Sequence, residues 1–76
     1  MNIEIHNEVK ALVASVLNVP MMLIGNDLKA GDLSEWDSLA QIRIVMEVEE
    51  RFNIRVSSME IMALNSVNKI VEYLER

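Results

Sequence analysis

The chain has 76 residues, 51% of them hydrophobic and 25% charged, which allows one small domain with a single core over residues 1–76. The absence of cysteine excludes a disulfide framework, a zinc knuckle and a catalytic thiol. A formal net charge of −5 makes nucleic acid and anionic lipid unfavourable partners and favours basic protein surfaces, although solubility alone also explains such a charge.

The sequence carries neither the pattern of a membrane-spanning helix nor that of an export signal. The longest apolar run, residues 19–24, is far shorter than the roughly 20 residues that a membrane-spanning helix needs. The opening segment, MNIEIHNEVK, lacks the basic region and following apolar stretch of a signal peptide. We therefore expect a soluble, cytoplasmic protein without a membrane partner.

The first predicted helix has one apolar face, formed by Ile5, Val9, Leu12, Val13, Val16 and Leu17. It should end at Asn18-Val19-Pro20, because the residue before a proline disfavours the α conformation. His6, which is the only imidazole of the chain, is expected to be a solvated surface residue.

A long loop should follow, since no helical or strand period holds from Asn18 to about Trp36. Gly25 and Gly31 supply turns within it. Five apolar side chains are expected to hold the loop against the core: Met22, Leu23, Ile24, Leu28 and Leu33.

Residues 26–37 have the length of a calcium-binding EF-hand loop, with Gly31 at the sixth position. However, Leu28 and Ala30 stand where that loop requires oxygen ligands, and Asp37 stands where it requires a glutamate. No metal site is therefore predicted.

The second predicted helix runs from about Asp37 to Phe52 or Asn53. Its core face should contain Ile44, Val45, Val48 and Phe52, and its solvated face Ala40, Arg43, Glu47, Glu50 and Arg51. Leu39, Ile42 and Met46 lie on the edge between these faces. They form either peripheral core beneath the loop or an exposed patch for a partner, and the helical period does not separate the two.

Two further helices complete the pattern. A short one carries a capping-box signature, in which Ser57 caps and Glu60 reaches back. The last begins near Ser66 and presents Val67, Ile70, Val71 and Leu74. The predicted fold is all-α, a small antiparallel bundle of three main helices plus one short helix, with a long loop between helices one and two.

The start of the second helix lies in the segment LSEWDSLAQI, residues 33–42. Asp37 and Ser38 are both candidates for the cap, and Ser38 with Gln41 makes a capping-box pair. If Asp37 caps, Ser38 is left in the first turn, where unpaired N–H groups and the positive helix end favour a phosphate ester. Catalysis by Ser38 is not predicted, because neither an activating base nor a strand-to-helix elbow is present.

The tetrad Trp36-Asp37-Ser38-Leu39 resembles the attachment motif of acyl carrier proteins, whose serine carries 4′-phosphopantetheine. Residues 37–56 are similar to the second helix of that family and the turn after it, and residues 66–74, SVNKIVEYL, to its closing helix. With the loop length and the short third helix, the resemblance covers nearly the whole chain.

The resemblance implies that Ser38, beside Asp37, is the ester link to 4′-phosphopantetheine, installed by a separate phosphopantetheinyl transferase. The thiol of this prosthetic arm would hold acyl or aminoacyl groups as thioesters, so a chain without cysteine could take part in acyl transfer. Acyl-loading and acyl-transfer enzymes would then dock on the second helix, at Leu39, Ile42, Arg43, Met46 and Glu47. The implied protein is a freestanding, monomeric carrier without catalysis of its own. Met46, Met59 and Met62 would suit an adaptable interior.

Two features favour a specialised carrier over a housekeeping fatty-acid carrier. Fatty-acid members of the family tend to have an acidic residue where this chain has Arg43, and Arg51 dilutes the acidic charge further. A tryptophan before Asp37-Ser38-Leu39 is more typical of polyketide and peptide-synthetase carriers. The competing interpretation is a helical adaptor of carrier-like fold, in which Ser38 is only a cap.

Overall fold

A computed structural model describes residues 3–76, which form four helices and no strand. The helices are α1 (Ile3–Leu17), α2 (Ser38–Phe52), α3 (Ser58–Ile61) and α4 (Val67–Leu74). Helix α1 packs against α2 and α4, and α2 packs against α3. This confirms the predicted all-α bundle of three main helices and one short helix. None of the four is long and apolar enough to cross a bilayer.

Helices α1 and α2 run antiparallel. Near the end of α2, Arg51 Nη1 lies 3.7 Å from Oε1 of Glu8, which is near the start of α1. At the other end of the pair, Ser15 and Val16 of α1 share a cleft with Arg43 of α2. The start of α2 is therefore held beside the end of α1.

Helices α1 and α2 both end at an asparagine in the left-handed conformation. Asn18 has a φ of 58° and follows Leu17, the last residue of α1, as predicted. Asn53 has a φ of 53°, and its N–H donates to the carbonyl of Glu49. Asparagine tolerates this conformation better than most residues, which explains why both helices stop where they do.

Helix α4 begins where predicted, whereas the cap of α3 differs from the prediction. Ser66 Oγ accepts from the Lys69 N–H at 3.1 Å. Ser57 is the N-cap residue of α3, but its Oγ donates to Glu60 Oε1 at 3.1 Å and binds no helix N–H. The predicted reciprocal capping box is therefore wrong. The Glu60 carboxylate instead contacts the Ser57 hydroxyl, the Tyr73 hydroxyl at 3.4 Å and Arg76 Nη1 at 3.8 Å, so it does not reach back to the Ser57 N–H.

The core lies between α1, α2 and α4 and also takes in side chains from the loops. Its buried hydrophobic residues are Val9, Leu12, Val13, Ala14, Leu17, Ile24, Trp36, Ala40, Ile44, Val45, Val48, Val56, Leu64, Val67, Ile70 and Val71. Val16, Phe52 and Leu74 are half-buried at its edge. The predicted apolar faces of the three main helices are thus confirmed.

Two residues that were expected in solvent are buried. His6 precedes Val9 by three residues and Val13 by seven, so it shares their face of α1 and is buried. Ala40 was assigned to the solvated face of α2 and is also buried. Because α2 packs against both α1 and α3, its buried arc is wider than a single apolar stripe.

The long loop, residues 18–37, is tied to the start of α4. The Ala30 N–H donates to the Asn65 carbonyl at 2.8 Å, and the Val67 N–H donates to the Leu28 carbonyl at 3.0 Å. These two bonds flank an isolated antiparallel bridge between Lys29 and Ser66. The middle of the loop is therefore fixed in position despite its length.

Three of the five predicted loop anchors are confirmed. Ile24 is buried, and Leu28 and Leu33 are half-buried against the core. Met22 and Leu23 are exposed, Met22 by 87%, so their predicted anchoring is wrong. They belong to a single 3₁₀ turn, Met21–Leu23, which Ile24 follows. In a 3₁₀ turn only residues three apart lie on the same side, so Met22 and Leu23 do not share the buried side of Ile24.

The methionines of the described region lie on the surface rather than in the interior. Exposed methionine side chains occur in the loop, on α2 and around α3: Met21, Met22, Met46, Met59 and Met62. The expected adaptable interior built from Met46, Met59 and Met62 is therefore wrong, because all three face solvent.

Candidate functional site

Asp37, and not Ser38, caps α2. Its backbone is extended, with φ −97° and ψ −171°, and its Oδ1 accepts from the Ala40 N–H at 2.9 Å. The Asp37 carbonyl accepts from the Gln41 N–H, also at 2.9 Å. Asp37 thus satisfies two of the first N–H groups of the helix, and Ser38 is released from a capping role.

Ser38 is the first residue of α2 and is exposed. Within residues 3–76 its hydroxyl has no hydrogen-bond partner, and the N–H groups of Ser38 and Leu39 have no acceptor. The hydroxyl therefore stands in solvent at the positive end of a helix, next to two unused donors.

Gln41 does not pair with Ser38, because its side chain points into the core and is only 1% exposed. Its Oε1 accepts from Trp36 Nε1 at 2.8 Å, and its Nε2 donates to the carbonyls of Ile61 and Leu64, both at 2.7 Å. These three bonds join the residue before the cap, the first turn of α2 and the end of α3. We call Trp36 and Gln41 together the buried pair.

Sequence reasoning missed the buried pair, although a signal for it was present. Gln41 precedes Ile44 by three residues and Val45 by four, which places it on the core face of α2. A buried tryptophan needs an acceptor for its indole N–H, and Trp36 is only five residues away. The capping-box pattern paired Gln41 with Ser38 instead, and the helical spacing contradicted that pairing.

A groove of about 290 Å³ opens directly beside Ser38. Its walls come from the long loop, at Ala30 and Gly31, and from the residues after α3, at Met62 and Asn65. Gly31 has a φ of +94°, a conformation that favours glycine. This groove was not predicted from the sequence, because it depends on the loop meeting the segment that follows α3.

The predicted docking residues share one exposed face of α2. Leu39, Ile42 and Met46 are 66%, 41% and 59% exposed, which resolves the open alternative in favour of an exposed patch. Arg43 and Glu47 lie on the same face and are also exposed. We call these five residues the α2 face. The α2 face begins next to Ser38, and its later residues, Arg43, Met46 and Glu47, border the cleft between α1 and α2.

Ser38 is surrounded by the polar groups of a helix start. Over residues 3–76, no group of three or more histidine, aspartate or glutamate side chains is arranged to hold a metal ion. The groups nearest Ser38 are a capping carboxylate, a buried amide and open backbone donors.

Comparison with known proteins identifies the family. Residues 7–74 match the family model described as phosphopantetheine attachment site. The acyl carrier protein of Buchnera aphidicola subsp. Schizaphis graminum is 29% identical over 92% of this chain and 89% of its own length. That of Thermotoga maritima is 29% identical over 96% and 90%, and that of Onion yellows phytoplasma is 31% identical over 95% and 95%. The chain therefore belongs to the acyl carrier protein family, whose members are non-catalytic carriers with covalently attached 4′-phosphopantetheine.

Proposed function

We propose that Ser38 is the residue of this chain that carries 4′-phosphopantetheine. The observation that supports it is the exposed Ser38 hydroxyl, which has no partner within residues 3–76 while Asp37 performs the capping. Ser34, the other serine of the segment, differs because its Oγ donates to Glu35 Oε1 at 3.3 Å and it lies outside the helix.

The surroundings of Ser38 fit the chemistry of a phosphate ester. The unused N–H groups of Ser38 and Leu39 and the positive end of α2 stabilise an anion attached there. Because the chain has no cysteine, the arm supplies the thiol on which acyl groups are held as thioesters. The chain contributes the hydroxyl, the helix end and a rigid support beneath them.

Attachment requires coenzyme A and a phosphopantetheinyl transferase. The bond from Ser38 Oγ to the phosphorus of the phosphopantetheine group forms, and the phosphoanhydride bond of coenzyme A breaks. Adenosine 3′,5′-bisphosphate leaves, and the hydroxyl proton passes to a base of the transferase. No base of this chain is needed, in agreement with the absence of a hydrogen-bonded partner for the Ser38 hydroxyl over residues 3–76.

The α2 face is the proposed contact for the transferase and for the acyl-loading and acyl-transfer enzymes. It combines apolar side chains, whose burial against a partner would lower the free energy, with the carboxylates of Glu47 and the nearby Glu50. The net charge of −5 accelerates encounter with basic partner surfaces, and the apolar contacts then fix the complex.

Arg43 supports a specialised biosynthetic pathway, polyketide or related, in preference to a housekeeping fatty-acid pathway. It places a positive charge in the middle of the α2 face, between Leu39 and Glu47. A partner matched to a uniformly acidic helix would meet this charge with a basic group, and like charges in contact cost several kcal/mol. The proposed partners therefore offer an acidic or neutral group opposite Arg43.

Mass spectrometry of the intact chain tests the carrier function. After incubation with coenzyme A and a broad-specificity phosphopantetheinyl transferase, we expect the mass to increase by one phosphopantetheinyl group. An unchanged mass, with an established carrier protein modified in the same tube, would support the adaptor interpretation instead.

Charge changes on the α2 face should slow transfer without unfolding the chain. Met46→Glu and Glu47→Lys are each expected to lower the rate of modification, or of acyl transfer with a cognate enzyme, about tenfold, which corresponds to about 1.4 kcal/mol of contact energy. Met22→Glu changes a methionine that is 87% exposed in the loop and serves as the matched control. Circular dichroism should show unchanged helicity in all three variants. Equal rates in Met46→Glu and Met22→Glu would contradict docking on this face.

A further inference from the structure

Methionine is excluded from the core of the described region. The buried hydrophobic residues among residues 3–76 are Trp36 and aliphatic side chains, and none of them is a methionine. Five methionines are exposed instead, by 44% to 91%: Met21, Met22, Met46, Met59 and Met62. Oxidation converts methionine into a polar sulfoxide, which disrupts a core that contains it. Because these five side chains lie outside the core, their oxidation leaves the packing of the bundle intact.

Met46 differs from the other four exposed methionines because it lies on the α2 face, next to Glu47. It is 59% exposed and is not among the residues that pack against the core. It borders two clefts, one with Val16 of α1 and the other with Ile54 after α2. An oxidant in solution therefore reaches this side chain without any opening of the fold.

The unmodified chain offers a mild oxidant few other targets. It contains no cysteine, so no thiol competes with the methionine thioethers. Trp36, the only tryptophan of the chain, is 1% exposed. Mild oxidation of the unmodified chain is therefore directed to methionine.

We propose that Met46 is a reversible oxidation site that controls the docking of partner enzymes. The inference rests on the proposed docking of those enzymes on the α2 face. The oxidant is a peroxide, of which hydrogen peroxide is the simplest. One peroxide oxygen bonds to the Met46 sulfur as the O–O bond breaks, and the other oxygen takes the remaining proton and leaves as water. The sulfur loses two electrons and the peroxide gains them, and a methionine sulfoxide reductase with a thiol reductant reverses the change.

The sulfoxide weakens docking because it turns an apolar contact into a polar one. Met46 forms the apolar part of the α2 face together with Leu39 and Ile42. A sulfoxide oxygen accepts hydrogen bonds, and its burial against an apolar partner surface costs free energy unless the partner supplies a donor. The oxidised chain therefore docks more weakly, while the buried residues of α2 keep the helix in place.

Treatment of the unmodified chain with hydrogen peroxide tests this proposal. The peroxide is removed, fragmentation of a sample locates the sulfoxides, and the rest is incubated with coenzyme A and a broad-specificity phosphopantetheinyl transferase. We expect the initial rate of mass gain to fall about fivefold in the parent chain, less than in the charged variant Met46→Glu. Methionine sulfoxide reductases A and B should restore the rate, and circular dichroism should show unchanged helicity throughout.

Two variants assign the loss of rate to a single sulfur atom. Met46→Leu should show the same rate before and after peroxide, because leucine is apolar and has no sulfur. Met59→Leu removes a methionine that is 91% exposed on α3, outside the α2 face. It should lose rate after peroxide as the parent chain does.

An equal loss of rate in Met46→Leu and in the parent chain would overturn the assignment to Met46. An unchanged rate in a parent chain whose fragments carry the Met46 sulfoxide would also overturn it, and the attachment at Ser38 would stand. If the chain gains no mass even before peroxide treatment, the proposed carrier function is wrong, and the role of the oxidation site falls with it.

Discussion

Replacement of Gln41 by glutamate is expected to lower the free energy of unfolding by about 3 kcal/mol, since a buried polar group left unsatisfied costs about 1–3 kcal/mol and a buried charge more. The amide of Gln41 donates to two carbonyls at 2.7 Å and accepts from Trp36 at 2.8 Å. An ionised carboxylate would face the two carbonyl oxygens with negative charge. A protonated carboxyl has a single O–H donor and would leave one of the two carbonyls unpaired.

Urea unfolding monitored by circular dichroism measures the change in the free energy of unfolding, and heating with the same signal measures the melting temperature. For a domain of this size, each kcal/mol lowers the melting temperature by about 4–8 °C, so a reduction of about 15 °C should accompany the change. Glu50→Gln is the matched control, because it makes the reverse exchange at an exposed position of the same helix. Its stability should stay within about 0.5 kcal/mol of the parent chain. If Gln41→Glu were equally harmless, the buried pair would not fix α3 against α2.

A loss of stability in Gln41→Glu would also show that the buried pair supports the candidate functional site. The buried pair lies directly beneath the groove and joins the residue before the cap to the end of α3. Ser38 is exposed, but its position relative to Met62 depends on these three bonds. The buried pair therefore fixes the segment that carries Ser38 relative to the end of α3.

The helices and most of their ends could be predicted because local rules determine them. Apolar spacing placed α1, α2 and α4, and proline and asparagine after Leu17 stopped the first of these. Asp37 and Ser66 cap with ordinary side-chain geometry. The segment proposed for attachment could be identified for the same reason, since its signal is a short contiguous motif at a helix start.

The remaining features depend on contacts between distant segments. The side chain of Gln41 binds the carbonyl of Ile61 in α3 and that of Leu64 after it, which lie 20 and 23 residues later in the chain. No local sequence pattern predicts these two contacts. The Glu60 carboxylate does not complete the capping box with Ser57, because it also contacts Tyr73 and Arg76 from the last part of the chain. Likewise, the exposure of Met46 was undecided from helical spacing, because it depends on how closely the neighbouring helices cover the edge of α2.

The carrier and adaptor interpretations differ in what they require of Ser38. An adaptor needs the serine only as part of a helix start, and the structure gives the capping role to Asp37. A carrier needs an accessible hydroxyl, and Ser38 provides one at the first residue of α2, a helix whose start is capped by Asp37. The same face of α2 would serve docking in either case, so docking experiments alone do not separate the two.

Substitution of Ser38 by alanine is expected to abolish modification completely. The change removes the Oγ atom that forms the ester, while Asp37 retains the cap of α2, so helicity and stability should stay within about 0.5 kcal/mol of the parent chain. Ser34→Ala removes the neighbouring serine of the same segment and should leave modification unchanged. The two variants differ from the parent by the same single oxygen atom.

The most direct measurement is the intact mass of the parent chain, Ser38→Ala and Ser34→Ala after identical treatment with coenzyme A and the transferase, followed by fragmentation of the modified product. We predict one phosphopantetheinyl group on the parent chain and on Ser34→Ala, located at Ser38, and none on Ser38→Ala. A mass gain that persists in Ser38→Ala, or no gain in the parent chain, would contradict the assignment of Ser38 as the attachment residue.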